Sequence, residues 1–474
     1  MTTATSPHAP ASRFRFVILA LLCSLAMITY MDRAANGSAR DAIMTDLNTH
    51  QAPNKQYHKN DFFWVLMAFQ LAYAMFEIPS GWLGDTKGPR STLLRIVIWW
   101  SIFVALTGFV GMSLGGILIG FVALIIIQFL FGVGEAGAFP NIAKSLYNWF
   151  PSGDRGFAKS AIWMCARFMG GLTPLVWVLL TAEEFGGLHW REALWLFAAV
   201  AVIWCIVFAL VFTNLPREHR KVNAGELDKI DAGRDMHVAH GGLPWGKLLR
   251  SRNLWAVCLM YIVTNFCWYF LMYNHPGAMK KAFPEWQTSA GGKVLLALLS
   301  GAPLLIGMAG CYLGGVLSDR YIRRTGDRVW GRRLYGMIGY GMAGTCYFLA
   351  IAGKLAFPDN LWAYAIPLIL MGFFNDLIMA PAWAVCQDIG RQYAGTVSGA
   401  MNMVGNLGGA VTGIVITGLI LGAYTSNSGT PTESVDDMGY IVCFTMYGCV
   451  YILGVVLWLL IDASKPVVPD EETA

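Results

Sequence analysis

The sequence predicts an all-α membrane protein, with twelve transmembrane helices arranged as two six-helix bundles. Three observations carry this. Of 474 residues, 56% are hydrophobic and only 13% charged, with mean hydropathy +0.51; a soluble domain carries about 25% charged residues. The apolar residues fall in long runs, and about 20 such residues cross a bilayer. A loop motif also recurs halfway along the chain, as Gly81-Trp82-Leu83-Gly84-Asp85 and again as Gly315-Val316-Leu317-Ser318-Asp319.

Several function classes are set aside at once. The +5 net charge is spread over short loops, so no nucleic-acid partner is expected. The ten cysteines lie almost wholly inside apolar segments and include no C-x-x-C pair, so neither a disulfide framework nor a metal site is expected. No G-x-x-x-x-G-K-[ST] loop is present, which argues against direct ATP drive. No His-rich or nucleophile constellation points to an enzyme, and no cofactor is expected.

In chain order, residues 1–13 read as a disordered tail rich in Thr, Ser, Ala and Pro. The run from Phe16 to Thr29 is too long, and lacks a small-residue cleavage site, for a cleaved signal peptide, so it opens an uncleaved first span. The twelve segments are placed at about 14–36, 62–84, 93–112, 116–146, 157–182, 192–214, 253–275, 294–317, 334–354, 360–386, 394–423 and 438–462. A charged central loop, 215–252, divides a bundle at 14–214 from one at 253–462. It holds a helix-like stretch, Glu226 to Asp231; residues 463–474 form the second tail. The other long polar loop, 37–61, suggests no role. Even parity puts both termini on one side. Of the 34 Lys and Arg, Arg33 and Arg167 lie within spans. Arg40, Lys55, Lys59, Arg191, Lys280, Lys281, Lys293 and Lys354 lie in loops on the far side, leaving 24 on the terminal side. That excess makes the terminal side the cytoplasm.

Ionisable residues inside a membrane cost enough to need a partner or a cavity. Here they are Asp32, Arg33, Glu77, Glu135, Arg167 and Asp376. Asp32 and Arg33 are adjacent, so they point about 100° apart on a helix and suit two roles rather than one local ion pair. Glu135 has no basic residue within two turns on its own helix, so it is a candidate to load and release a proton. Arg33 and Arg167 offer guanidinium forks suited to a carboxylate; alternatively, Arg167 neutralises Glu135. Glu77 reads as structural. Asp376, beside Asn375, is open to three readings: protonated, paired with an arginine, or bound to a second cation. Asn402 and Asn406 are four apart and share one helix face. Aromatics such as Trp268 and Tyr269 on segment seven suit stacking on a sugar face. Pro174 and Pro381 are expected to bend their helices.

The loop Gly81-Trp82-Leu83-Gly84-Asp85-Thr86-Lys87-Gly88-Pro89-Arg90 resembles the signature loop of the major facilitator superfamily. Tyr30-Met31-Asp32-Arg33, and Gly132-x-x-Glu135-Ala136-x-x-Phe139-Pro140 followed by Trp149-Phe150-Pro151, resemble its anion:cation symporter family, and the likeness runs over essentially the whole chain. The resemblance implies Asp32 and Glu135 as the proton pair. It also implies a substrate-facing Tyr73, with Gln70 one turn earlier, and Asn402 on substrate hydroxyls. Asn36 and Gln128 join the binding set; Gln128 stands where sugar-acid carriers of the family have an arginine, as though that charge had moved to Arg167. Gly81, Asp85 and Arg90, with Gly315, Asp319 and Arg320, are the expected gating loops. The expected function is import of an organic anion, a sugar acid such as a hexonate or hexuronate, by alternating access. A proton is the expected coupling ion, with sodium as the alternative. The setting is a bacterial inner membrane, and the protein a monomer. The competing readings are an exporter, a carrier of an aromatic acid or dicarboxylate, and a nutrient receptor on the same scaffold.

Overall fold

The computed structural model describes residues 11–49, 51, 56–58, 61–114, 117–151, 154–231, 245–391, 394–424 and 437–468. The first half comprises α1 (Phe14–Thr49), α2 (Phe62–Lys87), α3 (Pro89–Thr107), α4 (Phe121–Glu135), α5 (Ala138–Trp149), α6 (Arg155–Thr181) and α7 (Trp190–Val211). α8 (Ala224–Asp231) and α9 (Trp245–Arg250) lie in the central loop. The second half comprises α10 (Arg252–Tyr273), α11 (His275–Ala282), α12 (Ala290–Thr325), α13 (Arg328–Ala356), α14 (Leu361–Leu377), α15 (Met379–Gly390), α16 (Ala394–Gly405), α17 (Thr412–Ala423) and α18 (Asp437–Leu460). α4 and α5 form one span broken at Ala136-Gly137, α14 and α15 one broken at Ile378, and α16 and α17 one joined through a π-turn at Asn406–Val411. A two-residue hairpin, β1 (Ser113–Leu114) with β2 (Ile117–Leu118), precedes α4. Among the described residues, eleven spans are long and apolar enough to cross a membrane, and α2 adds a shorter apolar stretch, Phe62–Glu77.

Helix ends follow local chemistry. Ser289, Asp327 and Asn360 accept backbone N–H groups at the starts of α12, α13 and α14, which satisfies donors with no intrahelical acceptor. Gly326, at φ 75°, ends α12 in the left-handed conformation. The start of α1 is capped from the central loop. Glu226 accepts from Ser12 Oγ at 2.5 Å, from the Phe14 and Arg15 amides at 3.1 Å each, and from Arg15 Nη1 at 3.2 Å. Glu226 is fully buried, so its loss strands both a helix terminus and a buried arginine. Glu226→Ala is expected to cost about 3 kcal/mol, read as a lower unfolding temperature in detergent.

Segment one runs thirteen residues further than the sequence suggests, through part of the unassigned 37–61 loop. The extension buries Ala39, Ile43, Met44 and Leu47 at helical spacing. Asp46 near its end accepts from Arg191 Nη1 at 2.5 Å and from Trp190 Nε1 at 2.8 Å.

The two halves meet on the far side. Gly171 of α6 and Gly301 of α12 touch backbone to backbone: a Cβ on Gly171 would stand 2.8 Å from the Gly301 carbonyl oxygen, and one on Gly301 would overlap the Gly171 carbonyl. Gly37 of α1 abuts Met272 and Tyr273, and Arg40 Nη1 donates to Asn274 Oδ1 at 3.2 Å. Lys293 reaches Glu184 at 2.5 Å. That hydrogen bond holds the Glu184 carboxyl below its ordinary value. The contact is therefore complete above the usual carboxylate range and is lost as pH falls through the lowered value. Gly301→Ala is expected to disfavour far-side closure by about 2 kcal/mol. Faster labelling of a far-side cysteine is the measurement.

Candidate functional site

Between the halves lies a cavity of about 420 Å³, within the range of small-ligand sites. Its deep end is lined by Tyr30, Arg33, Tyr73, Arg167, Trp268, Tyr269 and Asn406. From there it passes Glu77, Trp163 and Asn402 to Lys159, Gln387 and Ser398, near the terminal-side ends of α6, α15 and α16. With the far side shut, the cavity opens toward the side of the chain termini.

Arg33 and Arg167 both line the cavity, and each is held by an acid standing behind it. Arg33 Nε donates to Glu135 Oε1 at 2.5 Å, joining α1 to the last residue of α4. Its guanidinium also sits 4.4 Å from the centre of the Tyr73 ring. Glu135 is fully buried and does not line the cavity. Asp32 points away from it as well, turned about a third of a revolution from Arg33. Its two oxygens make no hydrogen bond among the described residues; the Trp100 indole faces them and Glu135 is the neighbouring charge. Of the two neighbouring buried carboxyls only Glu135 holds the guanidinium, and Arg33, Asp32 and Glu135 together are neutral when one of the two acids is protonated.

Arg167 reaches across to the other half. Its Nη2 donates to Asp376 Oδ1 at 3.2 Å and its Nε lies 2.9 Å from Asp376 Oδ2, so α6 is tied to α14 by an ion pair with one hydrogen bond. Trp268 stacks on the same guanidinium at 3.6 Å. Of the two alternatives for Arg167, anion ligand or neutraliser of Glu135, the second fails in this structure: Glu135 is held by Arg33. Of the three readings of Asp376, the arginine pair is the one present. Asn375 Nδ2 supports Asp376 Oδ1 at 2.9 Å and receives the Tyr451 hydroxyl on its own oxygen at 2.8 Å. Arg33 Nη2 and Arg167 Nη1 make no hydrogen bond among the described residues, so each guanidinium has donor capacity beyond its acid.

The amides of the second half line the opposite wall. Asn406 Oδ1 accepts from Asn265 Nδ2 at 3.2 Å and from the Tyr269 hydroxyl at 3.3 Å. Asn402 Nδ2 donates to Glu77 Oε1 at 2.7 Å, bridging α16 and α2. Glu77, read from the sequence as structural, is therefore a cavity residue, because α2 turns it toward α16. Lys159, counted from the sequence as a loop charge, also lines the cavity, with its ammonium 4.3 Å from the centre of the Trp383 ring. Lys159, Trp163 and Arg167 stand four apart along α6; that spacing was the available signal.

Three residues expected to touch substrate do not reach the cavity. Asn36 and Gln128 exchange two amide hydrogen bonds, at 3.3 Å and 3.2 Å, and Gln128 adds one to Thr107 Oγ1 at 3.2 Å. Asn36 is three residues past Arg33 and Gln128 seven before Glu135, so both pairs are rungs of the same α1–α4 contact. Gln70 is fully buried, with no hydrogen bond to its amide among the described residues. In the expected gating loops, Arg90 Nη2 donates to the Ala209 carbonyl at 2.5 Å, and Asp319 accepts from Arg332 Nη1 at 2.8 Å. Gly81 packs against Pro140 and Gly315 against Ala380. Arg320 is exposed, and the Asp85 side chain lies outside the described residues. These contacts stay within their own halves, as the open terminal side requires.

The model of the Major Facilitator Superfamily matches residues 22–413. The chain is 32% identical to the probable sulfoacetate transporter of Cupriavidus necator, over 86% of this chain and 87% of that one. It is 27% identical to the probable galactarate/D-glucarate transporter of Bacillus subtilis, over 90% and 89%. Among solved structures, a D-xylose–proton symporter superposes with a TM-score of 0.68 at 14% identity, covering 95% of this chain and 98% of that one.

Proposed function

The chain belongs to the major facilitator superfamily, and from that premise we propose that it is a secondary transporter carrying a small organic anion together with protons across a bacterial inner membrane. One observation carries the reading: two guanidiniums, Arg33 and Arg167, line a single cavity and each faces a buried acid. A buried arginine already paired with an acid gives its fork to an incoming carboxylate only if the acid's charge is neutralised. Anion binding and protonation are then linked at the Arg33 cluster, where Asp32 and Glu135 take up the proton.

The substrate class follows from the two walls. The guanidiniums bind the acid group bidentately, while Tyr73, Tyr269, Asn402 and Asn406 offer donors and acceptors to hydroxyls. That combination suits a sugar acid such as a hexonate or hexuronate. The relatives named for sulfoacetate and for galactarate/D-glucarate support a small, strongly charged anion. With the terminal side taken as the cytoplasm, the structure is open inward, and rocking of the two halves about the site exposes it to the far side. The test is uptake of a labelled panel, including D-gluconate, D-glucuronate, D-glucarate and sulfoacetate, into proteoliposomes under an inward proton gradient. At least one should accumulate above its outside concentration. Failure of all to accumulate, with sealed vesicles and folded protein, would refute the reading.

A further inference from the structure

We propose that Asp376 is a second proton-coupling carboxyl, the counterpart of Glu135 in the other half, which takes up a proton when the substrate anion takes over the Arg167 fork; this rests on the anion site described above. The two acids occupy equivalent places in the duplicated fold. Glu135 stands five residues before Pro140, and Asp376 five residues before Pro381. Each lies in the last turn of the first piece of a broken span, α4 ending at Glu135 and α14 at Leu377. Each is buried behind an arginine that lines the cavity, and neither lines the cavity itself.

The surroundings of Asp376 leave one source of positive charge. Arg167 faces it from α6, Cys311 from α12, Tyr451 from α18, and the Asn375 amide from its own helix. Arg167 is the only cation in that set. Space for the carboxylate is kept by Gly307 of α12, where a Cβ would stand 2.6 Å from Asp376 Oδ2. When an anion withdraws the guanidinium, the carboxylate is left buried with a neutral amide as its donor. Uptake of a proton on an Asp376 oxygen restores neutrality, and its release frees the carboxylate to reclaim Arg167 once the anion has left. Because Arg167 and Asp376 belong to different halves, the same exchange loosens a tie between the bundles. An anion that engages both arginines therefore moves with two protons, one from each acid–arginine pair.

Infrared difference spectra of the full-length protein in lipid vesicles test this, with sulfoacetate, D-glucarate and D-gluconate added in turn. The expected result is a protonated-carboxyl C=O band that grows with anion and has two components: one that shifts in Asp376→Glu and is lost in Asp376→Asn, and one from the Arg33 cluster that remains. In the same vesicles Asp376→Asn should take up one proton fewer per anion than the wild type. Its apparent affinity at alkaline pH should rise about tenfold, the equivalent of one pKa unit of competition removed. Anion-induced changes with no such band, or a band undiminished in Asp376→Asn, would overturn the proposal while leaving the anion site standing. No spectral change and no uptake with any of the three anions in wild type would instead sink the anion site and this proposal together.

Discussion

Arg167→Lys is expected to weaken anion binding about a hundredfold, with the folded protein retained. Lysine keeps the charge but cannot present two parallel N–H groups to a carboxylate. The guanidinium here is fixed by the Asp376 ion pair, with approaches of 2.9 and 3.2 Å, and by Trp268 at 3.6 Å, so its orientation is set before an anion arrives. Losing a bidentate charged contact in a buried site costs about 3 kcal/mol, which is roughly two decades in affinity. The loss belongs in the apparent affinity of every accepted anion. An unchanged affinity across the panel, in protein with a normal unfolding temperature, would remove Arg167 from the site.

Glu135→Gln is expected to separate transport from its driving force. Glutamine keeps the volume and a hydrogen-bond acceptor for Arg33 Nε, now 2.5 Å from Glu135 Oε1. The ionised acid that holds the Arg33 fork is then gone, so no proton is needed there to free the fork for the anion. One pH unit of gradient supplies about 1.4 kcal/mol per coupled proton, a factor of ten in accumulation. The variant should therefore accumulate about tenfold less anion under that gradient, yet exchange labelled for unlabelled anion close to the wild-type rate. Equal accumulation by variant and wild type would end the role of Glu135 in coupling.

Much of the architecture was legible in the sequence because apolar length and loop charge act locally. The repeated loop motifs at Gly81 and Gly315 placed the duplication, and the four-residue spacing of Asn402 and Asn406 put both on the cavity wall. Partners were less legible. That Arg33 holds Glu135, and Arg167 holds Asp376, depends on how α1, α4, α6 and α14 are rotated against one another, which spacing along one helix does not set. For the same reason Asn36 and Gln128 were expected in the site but satisfy each other. Glu77 and Lys159 were set aside as peripheral because they lie toward helix ends. The cavity reaches them because it widens toward that side.

Coupling through the Arg33 cluster is tested most directly by following protons and anion together. Proteoliposomes containing the wild-type protein and an internal pH indicator are prepared with no gradient of proton, sodium or potential. A transported anion is then added outside. The expected result is acidification of the interior in step with anion entry, absent without protein. Anion entry with internal pH unchanged, or entry that follows a sodium gradient alone, would contradict it.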